Sequence, residues 1–243
     1  MDARLKEIAE NFEKLKIGMD EPFKFHCTMC GKCCIHREDI LLTPKDLYNM
    51  SKELGTTPKE FVEQYCESYI GDTSRMPIVR LKPRGSVRRC PLLKDCKCSV
   101  HKVKPVACAM FPIGRALIFK AGEELPDRIT ADQVQYIFNK PDCGDDTETH
   151  TVREWLSAFG LSTEDEFFVK WQKTSMELGH IFRDIEKSAC VKVMNMIWSA
   201  AYIGLYLRYD MEKEFLPQFE ENTQQVTLVM RMIHLGKGGV SNG

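Results

Sequence analysis

Four thiols crowd into the eight residues from Cys27 to Cys34, in the stretch Phe25-His26-Cys27-Thr28-Met29-Cys30-Gly31-Lys32-Cys33-Cys34. Cys27, Cys30 and Cys33 are each separated by two residues, a spacing at which a tight backbone turn presents successive sulfurs to one centre. Single zinc ions are usually gripped by pairs of such thiols. Three in a CxxCxxC run match the way ferredoxin-type sequences hold three corners of a cubane. The run therefore favours an iron-sulfur cluster, with zinc as the alternative. Cys34 breaks the interval: about 3.8 Å of backbone beyond Cys33, its side chain is expected to point elsewhere and to serve a second centre.

Further thiols follow at Cys90, Cys96, Cys98, Cys108 and Cys143. Together with the run they make nine outside the expected helices. A tetrahedral ion or a cubane takes four thiolates, so nine leave either two centres with one spare or one centre with several bystanders. The spacings from Cys90 to Cys98 and from Cys98 to Cys108 are too long for paired zinc knuckles and suit ligands delivered by separate loops. Cys66 and Cys190 fall inside predicted helices and are expected to pack as small hydrophobes. His26, His36 and His101 flank cysteines; with thiols in such supply, their expected role is orientation or hydrogen bonding. His150, His180 and His234 lie in or beside predicted helices and read as surface or capping residues.

Charge is distributed unevenly around these cysteines. Between Arg75 and Arg115 stand eleven basic residues (Arg75, Arg80, Lys82, Arg84, Arg88, Arg89, Lys94, Lys97, Lys102, Lys104 and Arg115) against the single acid Asp95. Cations near a thiolate site offset its negative charge and depress the thiol pKa values. A nucleic-acid face is the rival reading. It is disfavoured because the patch is interleaved with cysteines rather than aromatics and carries no recognisable reader fold. The chain has no radical-SAM CxxxCxxC spacing, no phosphate-binding loop, no Gly-rich nucleotide fingerprint and no HExxH.

The elements that must position these groups are marked by their caps. Thr43-Pro44-Lys45-Asp46 supplies an N-cap, a proline at the first helical position and an acid in the first turn, predicting a helix over 44–54 that ends at Gly55. Thr57-Pro58-Lys59-Glu60 is a capping box, predicting a helix through Phe61, Val62, Tyr65 and Tyr69 that closes at Gly71. Residues 76–82 alternate apolar and basic as a strand does, and Pro83-Arg84-Gly85 predicts a hairpin into 86–89. Residues 113–119 and 134–138 are further strands. Leu5, Ile8, Ala9, Phe12 and Leu15 predict an amphipathic helix stopped by Gly18. From Asp145 the chain turns acidic and helical, with helices predicted over 151–159, 164–187, 189–207 and 221–234, followed by a frayed Gly-rich tail. The expected fold is α+β and predominantly helical, with small β-hairpins and irregular metal-held loops. Residues 1–145 would form a cysteine-cluster metal-binding domain with N-terminal helices, and residues 146–243 a helical C-terminal region packed on it.

The 243 residues, 43% of them hydrophobic and 28% charged, suffice for a sizeable core. With 34 Lys and Arg against 35 Asp and Glu, net charge names no partner. The longest apolar stretch, 191–207, is broken by Lys192, Asn195 and Gly204, so no membrane partner is expected. The N-terminus is charged and amphipathic rather than signal-like, which predicts a cytoplasmic protein. Eleven cysteines, an odd count, then point to metal rather than disulfides.

These residues carry a resemblance. Phe25-x-Cys27-x-x-Cys30-Gly31-x-Cys33-Cys34, then Leu42-Thr43-x-x-Asp46, then Cys90-Pro91-Leu92, Cys98-Ser99-Val100-His101 and Lys104-Pro105-x-x-Cys108-x-x-Phe111-Pro112 resemble the CxxCxxCC family of zinc- or iron-chelating proteins, also called YkgJ-type cysteine cluster proteins. The likeness spans about residues 20 to 145, and Cys143-Gly144 and Val152-Arg153-Glu154-Trp155 look like its continuation in longer members. It implies metal ligands at Cys27, Cys30, Cys33, Cys34, Cys90, Cys98, Cys108 and Cys143, with Cys96 as the spare. His101 stands where an aromatic Tyr is usual, and Lys104 and Ala109 replace arginines. Some relatives are described as flagellin lysine methylases, which implies methyl transfer to protein lysine as an analogy. Two classes of function follow: an enzyme, such as a protein-lysine methylase-like modifying enzyme acting on a protein substrate, or a non-catalytic zinc-stapled interaction module that engages a protein partner.

Overall fold

A computed structural model describes residues 10–35, 40–117, 133–162 and 165–238. Helix α1 (Phe12–Leu15), strand β1 (Lys16–Ile17) and strand β2 (Pro22–His26) lead into the cysteine run, which closes in a 3-10 turn over Lys32–Cys34. Strand β3 (Leu41–Leu42) then enters α2 (Pro44–Glu53), followed by α3 (Pro58–Tyr65), β4 (Cys66–Ile70) and β5 (Pro77–Leu81). A small hairpin of β6 (Leu93–Lys94) and β7 (Lys97–Cys98) precedes a 3-10 turn at His101–Val103, α4 (Val106–Met110), β8 (Ile113–Leu117), β9 (Val134–Phe138), β10 (Asp145–Thr151) and α5 (Val152–Ala158). The remainder is helical: α6 (Glu166–Glu186), α7 (Val191–Tyr202) running into a π-helical turn over Ile203–Leu207, and α8 (Phe215–Gly238). Among the described residues all pairings are antiparallel, in the orders β1-β9-β8, β10-β2, β3-β5-β4 and β6-β7. The architecture is the expected helix-rich α+β.

The capped helices start where their sequences place them. The Thr43 hydroxyl accepts from Asp46 N at 3.1 Å while the Asp46 carboxylate accepts from Thr43 N at 2.9 Å, and Thr57/Glu60 and Thr151/Glu154 repeat the device. Each box satisfies backbone donors that the first helical turn leaves without partners.

Five expectations need correction. The helix from Pro58 stops at Tyr65, and Cys66–Ile70 is a strand paired residue for residue with β5, from Cys66↔Leu81 to Ile70↔Pro77. Pairing with a strand already fixed by its buried alternation overrides the helical spacing of Tyr65 and Tyr69. Residues 86–89 make no hairpin strand, only a single bridge between Arg84 and Arg89, because β3 and β4 flank β5 on its two sides. Residues 145–151, read as the start of the helical region, form the strand that pairs with β2. Cys190 is exposed at the N-cap of α7 instead of packing inside a helix. The last helix begins at Phe215 rather than at 221, with Pro217 tolerated in its first turn. The last helix also runs on to Gly238, into the Gly-rich stretch expected to fray. Leu5, Ile8, Ala9, His36, the end of the 113–119 strand and residues 239–243 lie outside the described residues.

Among the described residues three apolar clusters hold these elements. The largest joins Leu42, Leu47, Met50, Phe61, Val79 and Leu81 to Leu178, Phe182, Ile185, Met194, Leu205 and Met230, so the C-terminal helices and the segment around β5 share one core. A second, under the cysteine run, contains Phe23, Phe25, Met110, Ile113, Tyr136, Val152, Trp155 and Leu156. Tyr48, Phe167, Tyr209, Phe215 and Phe219 form an aromatic third.

Candidate metal centre

Strand β2 buries Phe23 and Phe25 and exposes Lys24, so the second core delivers the chain to Cys27 in a fixed register. Strand β10 runs antiparallel to it with Asp145 opposite His26, which brings Cys143 beside the run although it lies far along the chain. Gly144 makes this approach possible. Its φ is +74°, and a β-carbon there would stand 2.4 Å from the His26 carbonyl oxygen and 2.6 Å from Phe25 Cε2. Gly31, at φ +72°, caps the 3-10 turn that places the Cys33 and Cys34 sulfurs 3.9 Å apart.

The other cysteines are tied in by separate contacts. Cys90 N donates to Cys34 O at 2.8 Å. Cys98 pairs with Leu93 across a hairpin whose turn holds Asp95 and Cys96 at positive φ. Cys108 lies on α4, and Val106 N at the start of that helix donates to Asp46 Oδ1 at 2.9 Å. The buried Asp46 carboxylate thus joins the cap of α2 to the segment that carries Cys108. Burial pushes the Asp46 carboxyl above its ordinary range, opposed by hydrogen bonds from Thr43 and Val106.

The eight thiols named from the resemblance ring two adjoining cavities of about 240 and 310 Å³. Cys34, Cys90 and Cys98 line the smaller, as does Cys96 at its hairpin tip. Cys30 and Cys143 line the larger. Cys27, Cys33 and Cys108 border both. Among the described residues no three His, Cys, Asp or Glu side chains stand close enough to grip one ion directly. The residues that fit a metal here are the thiols, a soft donor set that selects zinc or iron-sulfur centres.

A repeated local device equips the sulfurs. The backbone N–H of Lys32 donates to Cys30, that of Leu92 to Cys90 and that of Val100 to Cys98, in each case from two residues on. Gly144 N–H also donates to Cys30. These bonds favour thiolate, and at Cys30 they hold the pKa below that of an ordinary thiol. Elsewhere the sulfurs resist ionisation. The hydrogen bond with Cys33, then burial, raises Cys34; burial raises Cys90 and Cys98; and burial, with Cys33, Cys30 and Cys27 close by, pushes Cys143 up to about 11. A bound cation inverts this balance, since a coordinating thiol is deprotonated outright.

Lys104 and His101 border both cavities. Lys104 is largely buried, with Nζ 3.9 Å from the Phe159 ring centroid. Desolvation lowers its pKa, while Cys108, Cys27, Cys98 and Cys33 favour its charge. Four arginines of the basic stretch are engaged elsewhere. Arg75 donates to Glu186 at 2.7 Å and stacks on Trp198; Arg80 donates to Glu67 at 2.6 Å; Arg84 donates to the Gln64 carbonyl; and Arg115 lies over Phe168 at 3.7 Å. Their long stems cover aromatic rings and their heads find partners within the chain. His26 Nδ1 lies 3.2 Å from Asp145 Oδ1, at the junction of β2 and β10. The sequence reading missed the aromatic wall of the larger cavity, formed by Phe25, Phe111, Trp155 and Phe159. It also missed the role of Gly144, for which the Cys143-Gly144 pair was the available signal.

Thiols gathered from distant segments, with backbone N–H groups directed at their sulfurs, are the donor set of the cysteine-cluster class of metal-binding proteins. Residues 26–143 match the family model CxxCxxCC, "Putative zinc- or iron-chelating domain", and this segment belongs to that family. No curated protein and no solved structure matches the chain significantly. Among the described residues no helix is long and apolar enough to cross a membrane.

Proposed function

We propose that the chain is a cytoplasmic metal-binding protein that holds iron-sulfur on the thiolates of Cys27, Cys30, Cys33, Cys34, Cys90, Cys98, Cys108 and Cys143. The observation that carries this reading is the gathering of these eight thiols around two adjoining cavities. Among the described residues, which include all eleven cysteines, no disulfide is formed, which suits a reducing compartment. Iron-sulfur is favoured by the CxxCxxC run and by the cavities themselves, each several times the roughly 30 Å³ that one water occupies in the liquid. When bound, such a centre supplies one-electron redox chemistry. The chain's own residues would hold it with thiolates, offset its charge with Lys104 and limit water with Phe25, Phe111, Trp155 and Phe159.

Zinc is the second reading. It is supported by the donor set, since soft thiolates select zinc as readily as iron-sulfur. Anaerobic purification followed by metal analysis and visible absorption separates the two. Iron with acid-labile sulfide and a brown colour is the expected result; a colourless protein with stoichiometric zinc overturns the iron-sulfur assignment. A modifying enzyme acting on a protein side chain is compatible with the aromatic-walled cavity beside the exposed Cys30. That role requires a metal position not held by the protein, whereas four protein ligands on every metal would make the site a staple or an electron carrier.

A further inference from the structure

We infer that the eight thiols form two separate four-thiolate centres side by side, one on Cys27, Cys30, Cys33 and Cys143 and the other on Cys34, Cys90, Cys98 and Cys108. This rests on the metal-binding reading above and assigns each ligand of that site to a centre. The two cavities give the first division: Cys30 and Cys143 border only the larger, and Cys34, Cys90 and Cys98 only the smaller. Backbone connections give the second. Cys27 and Cys33 flank Cys30 at the spacing of a single turn, and the β2–β10 pairing carries Cys143 to that same turn, with Gly144 N–H donating to the Cys30 sulfur.

On the other side Cys90 N donates to Cys34 O at 2.8 Å, and Ser99 N donates to Leu92 O at 2.9 Å, so Cys90 and Cys98 stand at the two ends of one small hairpin unit beside Cys34. Cys108 borders both cavities and is assigned to the smaller because the run with Cys143 already supplies four thiols to the larger. Capacity gives the third division, since neither a tetrahedral ion nor a cubane accepts more than four protein thiolates. Two such anionic centres repel each other across their shared wall, and Lys104 is the lysine that borders both cavities.

The test uses the full chain, purified anaerobically and reconstituted either with ferrous iron and sulfide or with zinc alone. Two centres require about eight irons or about two zinc ions per chain, a count that depends on no variant. Cys30→Ser and Cys143→Ser are expected to halve the metal, as are Cys98→Ser and Cys34→Ser. The Cys30→Ser/Cys98→Ser double variant should retain less than about a tenth of it, and Cys96→Ser all of it. Cys30 is exposed, so its replacement probes the first centre with little effect on packing, and far-UV circular dichroism checks the fold of each variant. A wild-type count of four irons or one zinc overturns the split, as does complete loss of metal from a folded single variant. Wild-type protein that takes up no metal under either condition overturns the metal-binding reading itself.

Discussion

At Gly144 the backbone alone decides where Cys143 sits. Gly144→Ala would force a β-carbon against the His26 carbonyl at a φ that L side chains rarely adopt; it is expected to cost about 1–3 kcal/mol, read as a lower urea midpoint and faster metal loss to a chelator. Cys66 is the contrasting thiol. It is 8% exposed, and burial pushes its pKa up to about 12, so it stays protonated as a packing residue. Cys66→Ala should keep the full metal content and lose about 1 kcal/mol of stability. Equal metal loss from Cys66→Ala and Cys30→Ser would remove the distinction between ligand and packing thiols. Lys104→Met deletes a positive charge next to both thiol sets and should weaken metal retention about tenfold. Lys104→Arg should recover part of that loss, because charge rather than shape is being supplied.

At the scale of elements, Asp46 serves two helices at once. Asp46→Asn replaces one acceptor oxygen with a donor that faces the backbone N–H of Thr43 or of Val106, and is expected to cost about 2 kcal/mol in urea unfolding while loosening Cys108. The capping boxes predict a pH dependence. Hydrogen bonds from Thr57 and Thr151 hold the exposed Glu60 and Glu154 carboxyls below the usual carboxylate range. A depressed folded pKa gives stability that is present above the unfolded value of about 4.3 and is lost as pH falls through the folded value. The urea midpoint should therefore fall below about pH 4, and Thr57→Ala with Thr151→Ala should reduce that fall only in part, because the backbone N–H groups that do most of the lowering are kept. Asp46 acts in the opposite sense: its raised folded pKa favours the protonated native state, so it moderates the acid loss instead of adding to it.

For the molecule as a whole, the shared core makes the helices part of the scaffold of the metal centre. Leu178 is wholly buried among residues of both halves, and Leu178→Ala is expected to cost about 3 kcal/mol. Residues 1–145 made alone would lose Leu178, Phe182, Met194 and Met230 from the core around Phe61 and Val79, and would lose strand β10 from β2. The fragment should show collapsed amide dispersion and no stable metal uptake. A folded, metal-retaining fragment would show instead that the cysteine-rich half is self-sufficient.

What the sequence determined by itself is what contacts within a few residues decide. The caps at Thr43, Thr57 and Thr151 were readable because each box closes over four residues, and the CxxCxxC run because its spacing is that of one turn. The chain could also name its thiols, but not which of them would meet. Cys143 reaches the run through a strand pairing with β2, and Cys108 through a buried carboxylate on another helix; neither partner is a neighbour in sequence. For the same reason Cys66–Ile70 was read as helix and residues 145–151 were placed in the helical region. A strand is settled by the strand beside it, and that partner lay outside any local window. The basic stretch had the composition of a charged face, yet Arg75, Arg80, Arg84 and Arg115 found rings, carboxylates and a carbonyl that only the folded chain brings near, while Lys104 borders both thiol-lined cavities. Spacing along the chain marked the thiols as a candidate donor set; tertiary pairing decided which of them meet, because convergence at a site depends on distances in space that sequence separation does not encode.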